Sequence, residues 1–336
     1  MPVRTFGHID GAPVLEVEIG SKAGARAKII TYGAVLRDLV VPAGGALQRV
    51  ILGLNSIEDY VKHSPSFGAV PGRFANRIAN GRFSIDGADY TLDRNYLGKH
   101  TLHGGGKGFN KRVWKLGDHD AQSVSLSLVS DDGDMGFPGE LSATCLYRFV
   151  EPATLRVEFR AVADKPTLVN LTQHAYFNLD GSPDILDHEL ELACDFYTPA
   201  DAELIPTGEI RSVAGTPYDF RTSRPVRNAA SVSYDTNFVA SRAPGPDGLA
   251  FVARARSPKN GLTLELHSTE PGVQLYTAAG LNCPVAGLDG AHYGASAGFC
   301  LEPQAFPDSP NRRHFTDSVL RPDREYRHVS EFRFSE

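Results

Sequence analysis

The chain has 336 residues, of which 41% are hydrophobic and 22% charged, with a formal net charge of −6. That is enough to bury a large core, in one big β domain or two ordinary domains, and no run of Lys and Arg is long enough to follow a phosphate backbone, which excludes nucleic acid as the main partner. The four cysteines, Cys145, Cys194, Cys283 and Cys300, lack CxxC spacing, which excludes a zinc ribbon and a dense disulfide framework and predicts free thiols in a reducing compartment.

The opening MPVRTFGHIDGAPV carries no continuous apolar stretch after Arg4, and nothing later reaches membrane-spanning length. The expectation is a cytoplasmic protein with no membrane partner. VLEVEIG (14–20) is the first segment in which apolar and polar residues alternate, the period of a half-buried strand. The one helix the pattern predicts is short, from Ser56 to His63, with Ser56 as its cap and Ile57, Tyr60 and Val61 on one face. RFSIDGADYTL (82–92) reads as a hairpin turning at Asp86-Gly87, because both residues tolerate a positive φ. VSLSLVS (124–130), LRVEFRAV (155–162), HELELACDFY (188–197), LTLELHS (262–268) and YRHVSEFRFS (326–335) continue the alternation, with APGPDG (243–248) as a surface loop. No βαβ rhythm and no internal repeat interrupts them. The predicted class is all-β, a sandwich or barrel of antiparallel sheets, as one domain over residues 1–336.

Two motifs suggest chemistry that their context refuses. HGGG (103–106) and GASAG (294–298) together mimic the oxyanion loop and nucleophile elbow of an α/β-hydrolase, with Ser296 as nucleophile. A nucleophile elbow needs a helix after it, whereas Ser296 is followed by the apolar FCLEP. His100 and His103 are close in sequence but have no HExxH or cysteine partners, so no metal site is predicted.

Three polar, aromatic-laced segments stand out instead: GRFANRIANG (72–81), NLTQHAYFNLDG (170–181) and LEPQAFPDSPN (301–311). Asn76 and Arg77 suit a loop that offers a planar fork of donors to hydroxyls or carboxylates. His103 precedes glycines that let backbone approach a ligand or simply form a turn. His174 is flanked by Tyr176, Phe177 and Asn178, partners for a sugar face and its hydroxyls. Glu302 ends an apolar run beside a proline-stiffened loop. Taken singly, an ion pair, a core histidine or a surface carboxylate would explain each of these residues as well.

Together with LHGGGKGFNKRVW, YDTNFVA (234–240), PGVQLYTAAGL (271–281) and the closing LRPDREYRHVSEFRFS, these segments resemble, in order and over nearly the whole chain, the signatures of the aldose 1-epimerases, the galactose mutarotases. The resemblance implies a large antiparallel β-sandwich of the supersandwich type. It also implies a reaction, the interconversion of α and β anomers of free aldoses, with Glu302 as general base and His174 as general acid. Opening a cyclic hemiacetal requires a proton to leave the anomeric hydroxyl while another reaches the ring oxygen O5. Neither a hydride, a metal nor a covalent intermediate is needed, so no cofactor is expected. Ordinary pKa values of roughly 4.3 and 6.5 already permit a carboxylate–imidazolium pair, and mutual attraction is expected to favour both charged forms.

The same resemblance implies substrate binding by His103 near O5, by Asn76 and Arg77 on one side, and by Asp235 on another, with Gln274 and Tyr176 near the pocket. Phe74 stands where a tyrosine is common, and Pro303 and Ala305 where threonine and histidine are common, departures expected to retune the pocket. Three other readings fit parts of the pattern: a glycoside hydrolase using Asp235 and Glu302, a non-catalytic sugar-binding domain, and an epimerase of hexose 6-phosphates, for which no extra cationic cluster is visible.

Overall fold

The computed structural model describes residues 3–227 and 232–336. Its largest element is a nine-stranded sheet, ordered Lys115–His119, Ser123–Ser130, Leu141–Val150, Thr154–Ala163, Tyr326–Ser335, Thr263–Ser268, Ala250–Arg256, Glu189–Leu192, Arg224–Pro225, with antiparallel neighbours. Alternation builds it: in Leu141–Val150 every second residue is buried, and Thr154–Ala163 opposes it residue for residue. One five-stranded sheet, Val3–Ile9 through Ala46–Arg49, lies against its inner face. Val17, Ile19, Ile29 and Leu36 from the smaller sheet share one apolar core with Val124, Leu126, Leu155, Val157 and Phe332 from the larger, and Tyr147 donates its hydroxyl across to Ala34 O at 2.8 Å. The fold is the all-β antiparallel sandwich that the alternation predicts.

A second five-stranded sheet carries the chemistry: Arg211–Ser212, Phe196–Thr198, Asp235–Val239, Gly272–Tyr276 and Cys300–Gln304, in that order. Its formation corrects one expectation. HELELACDFY is two strands, Glu189–Leu192 in the large sheet and Phe196–Thr198 in this one. Leu192, Ala193 and Cys194 are all buried in succession, so the period breaks where the chain passes from one sheet to the other.

The hairpin forms as read, Arg82–Ile85 against Ala88–Thr91, with Asp86 at φ 51° and Gly87 at φ 82°. The α-helix is Ile57–His63, and Ser56 caps it by accepting from Asp59 N at 3.1 Å. Only Ile57 and Tyr60 face the core, because Val61 is 52% exposed. The four cysteines are unpaired and buried. No helix among the described residues is long and apolar enough to cross a membrane.

A buried polar cluster lies beneath the last strand. His328 contacts Leu171 O through Nδ1 at 2.9 Å and Ser330 Oγ through Nε2 at 2.7 Å, and burial pushes its pKa down to about 4. Glu270 Oε1 lies 3.8 Å from His328 Nδ1, and burial pushes that carboxyl up to about 8. A carboxyl whose folded pKa is raised contributes stability fully at low pH and loses it as pH rises through about 8. Glu270→Gln is therefore expected to be more stable than the native chain by about 1–3 kcal/mol at pH 9, the advantage shrinking toward pH 5. Urea unfolding at the two pH values measures this, and equal pH dependence in both proteins would refute it.

Candidate active site

A cleft of about 370 Å³ opens where this second sheet meets the loops around residues 64–66, 76–77 and 102–111. Its wall includes Asn76, Arg77, His103, His174, Tyr176, Asp235 and Glu302, seven of the eight residues singled out by sequence. Gln274 stands behind the wall. Glu302 and Gln274 face each other across adjacent strands, and Gln274 Nε2 donates to Asp235 Oδ1 at 2.6 Å.

The loop side is fixed largely by backbone. Asn76 adopts φ 66° and His103 φ 52°, left-handed conformations to which Asn and His are unusually well suited. The two are tied twice, because Asn76 N donates to His103 Nδ1 at 3.1 Å and His103 N donates to Asn76 O at 2.9 Å. An Nδ1 that accepts leaves Nε2 to carry the proton of the neutral ring. Burial holds His103 well below its usual range, reinforced by His174, Arg77 and Lys111. The glycines of HGGG serve this loop. Gly104, at φ 82°, packs so closely on Gly72 O that a Cβ would come within 1.9 Å of it. Ser296 also lies outside the cleft, and its segment leads into the strand Cys300–Gln304 with no helix, so the hydrolase motif has no structural counterpart. His100 has a separate post, accepting from Asn80 N and meeting Glu203 at 3.0 Å.

Arg77 lies over the Tyr96 ring at 4.6 Å and reaches Asp235 Oδ2 at 3.4 Å. Both Asp235 oxygens are thereby engaged, one by Arg77 and one by Gln274.

His174 and Glu302 meet on the opposite side, Nε2 to Oε2 at 3.5 Å, both nearly fully buried. The His174 ring stacks on Tyr176, centroids 5.1 Å apart and planes 13° from parallel, and meets His103 edge-on at 5.4 Å. Tyr176 is tethered by its hydroxyl to Pro65 O at 3.1 Å. His174 Nδ1 and Glu302 Oε2 have no hydrogen-bond partner, a costly arrangement for buried polar atoms unless a ligand completes it. Burial, with Asp235 adding to it and Arg77 opposing, pushes Glu302 well above its ordinary range, and burial pushes His174 down to about 4. This reverses the expected charged pair. Desolvation disfavours imidazolium and carboxylate alike, so a proton shared by the pair favours the Glu302 carboxyl over the His174 ring.

The family model of aldose 1-epimerase matches residues 16–333. The chain belongs to the aldose 1-epimerase family. Its activity is that of an isomerase acting on aldose anomers. It is 42% identical over 319 residues to galactose mutarotase of Bos taurus, covering 92% of this chain and 91% of that one. It is 36% identical over 338 residues to aldose 1-epimerase of Escherichia coli K12, covering 97% and 96%. The fold superposes on an aldose epimerase homologue from C. elegans with TM-score 0.90 at 34% identity, covering 96% and 99%. Galactose 1-epimerase from Lactobacillus acidophilus gives TM-score 0.84 at 25% identity, covering 99% and 98%.

Within this family frame the cleft also contains residues that the sequence reading missed. Tyr276, Asn110, Lys111 and Asn95 line it, and Tyr96 supports Arg77. Period two could have found Tyr276, because it lies two residues after Gln274 on one strand. Phe74, Pro303 and Ala305, expected to retune the pocket, are absent from the wall. Phe74 joins an apolar cluster with Ile78, Phe83 and Phe137, and Pro303 takes the opposite parity to Glu302 on its strand.

Proposed function

We propose that this cleft opens and recloses the ring of a free aldose, with Glu302 taking the anomeric proton and His174 protonating O5. The observation that carries the reading is the 3.5 Å approach of His174 Nε2 to Glu302 Oε2 at the wall of a polar cleft. The two sugar oxygens concerned are bonded to the same carbon, so a base and an acid a few ångströms apart can serve both at once. After O5 leaves, the aldehyde turns about C1–C2 and the roles reverse on closure, with O5 attacking the other face.

The cycle starts from the less favoured arrangement, with the one proton of the pair moved from Glu302 to His174 Nε2, 3.5 Å from Oε2. Ring opening converts carboxylate plus imidazolium into carboxylic acid plus imidazole, while the pair keeps one proton in total. Burial favours the second arrangement, which accompanies the open-chain aldehyde, and so lowers the intermediate relative to the closed sugar. His103 Nε2–H supplies a neutral donor toward O5, Asn76 and Arg77 hold hydroxyls on the loop side, and Asp235, backed by Gln274, holds hydroxyls on another. Tyr176 positions His174.

Asp235 argues against a glycosidase. With Glu302 the protonated carboxyl, Asp235 would have to be the glycosidase's free nucleophile or base, and its two oxygens are already held by Arg77 and by Gln274. Arg77 and Lys111 are the cations of the wall, with Arg77 paired to Asp235, so a free sugar suits the cleft better than a phosphosugar.

The test is polarimetry on freshly dissolved α-D-galactose and α-D-glucose, with and without protein. Acceleration over buffer supports the proposal, and none with these or with pentoses would sink it. The pH dependence follows from the pair. With His174 depressed, a second proton enters only as pH falls through about 4, so activity is expected to hold from pH 5 to neutrality. The alkaline limb marks loss of the single proton, above the ordinary carboxyl range because Glu302 is raised. An acid limb near 6.5, the ordinary histidine value, would contradict this.

A further inference from the structure

One buried group at the site is not used by the proposed reaction. Cys300 lies on the strand Cys300–Gln304 two residues before Glu302, on the same face, and its thiol is free. Ligand atoms of Cys300, His174 and Glu302 all lie within 4.8 Å of one another. Two of these side chains also carry the unpartnered buried atoms, His174 Nδ1 and Glu302 Oε2.

We infer that this trio is a binding site for a borderline-soft divalent cation of the zinc type, in which the metal blocks the sugar site. Sulfur, imidazole nitrogen and carboxylate oxygen are the zinc donor set, and three protein ligands leave a fourth position open to the cleft for water. Donor atoms around tetrahedral zinc lie about 3.3–3.8 Å apart, given bonds of about 2.0–2.3 Å, so side-chain shifts of about 1 Å close the site. Charge balances as well. Thiolate and carboxylate together cancel the +2 of the ion, which removes most of the cost of burying it. Binding displaces the thiol proton, and the carboxyl proton where present, to solvent. The ion ties up the acid and the base in one step, so it competes with sugar and stops turnover. The inhibition part rests on the proposed roles of Glu302 and His174, whereas the binding part does not.

The experiment uses the reduced, metal-free full chain, with Cd²⁺ as spectroscopic probe and Zn²⁺ as inhibitor. Cd²⁺ is expected to produce a thiolate charge-transfer band in the ultraviolet that Zn²⁺ displaces and that is absent in Cys300→Ser and Cys300→Ala. Zn²⁺ is expected to depress mutarotation at least about tenfold, reversibly with EDTA, while the two variants keep metal-free turnover and need at least about tenfold more Zn²⁺ for the same effect. Using both variants separates loss of the ligand from loss of folding, which circular dichroism monitors. No band in the native chain, or an equal band in a folded variant, overturns the site. A band with unchanged turnover under saturating Zn²⁺ overturns the blocking role. A chain that shows the band but no mutarotation at all disproves the proposed function and leaves the metal site standing.

Discussion

Glu302→Gln is expected to lower the rate of mutarotation by about 10²–10⁴-fold, the usual contribution of a positioned general base. The amide keeps the shape of the carboxyl but cannot accept and release the anomeric proton. Sugar affinity should change little, because Arg77, Asn76, Asp235 and His103 remain in place on the cleft wall. Stability should be equal or higher, since burial already pushes the Glu302 carboxyl toward its neutral form and the amide is always neutral. Polarimetry beside thermal unfolding separates these effects. A folded Glu302→Gln protein with native turnover would falsify the assigned mechanism.

His174→Asn is expected to cost about the same 10²–10⁴-fold in rate, because O5 then leaves without a proton donor. Unlike the first variant it also loses packing, the stack on Tyr176 and the edge contact with His103, so a loss of about 1–2 kcal/mol in stability is expected. The residual activity supplies the specific readout: the acid limb near 4 governed by His174 should be replaced by one at higher pH, where the raised Glu302 carboxyl, now acting alone as base, becomes protonated. The double variant should be scarcely slower than either single one, since both proton transfers serve one step. Multiplicative losses in the double variant would show that the two residues act independently.

Much of this was legible because strands in a sandwich write their burial into a period of two. Leu141–Val150 and Tyr326–Ser335 are long and pair on both sides, so tertiary structure had little room to override the pattern. HELELACDFY misled because a crossing between sheets consumes only three residues, too few to break an alternating run visibly. Val61 misled because a seven-residue helix resting on an edge needs just two anchors, Ile57 and Tyr60. At the site, segment order marked seven wall residues, but not Asn110 or Tyr96, which reach it through loop geometry. The protonation of the His174–Glu302 pair lay outside the sequence altogether. Depth of burial decides it, and that quantity exists only once Tyr176, Tyr276 and Cys300 have closed around the two groups.

The strand Tyr326–Ser335 occupies the middle of the nine-stranded sheet, between Thr154–Ala163 and Thr263–Ser268. During synthesis the ribosome delivers these two flanking strands well before the one that joins them. Until residues 326–335 emerge, the growing chain presents two raw edges with unpaired backbone donors and acceptors, the state most exposed to misassociation and to chaperone capture. A stop codon that removed only this strand would therefore take away the seam of the sheet. The resulting polypeptide, though it kept every residue of the cleft wall, should be found in the insoluble fraction of the cell and not as a weakened enzyme.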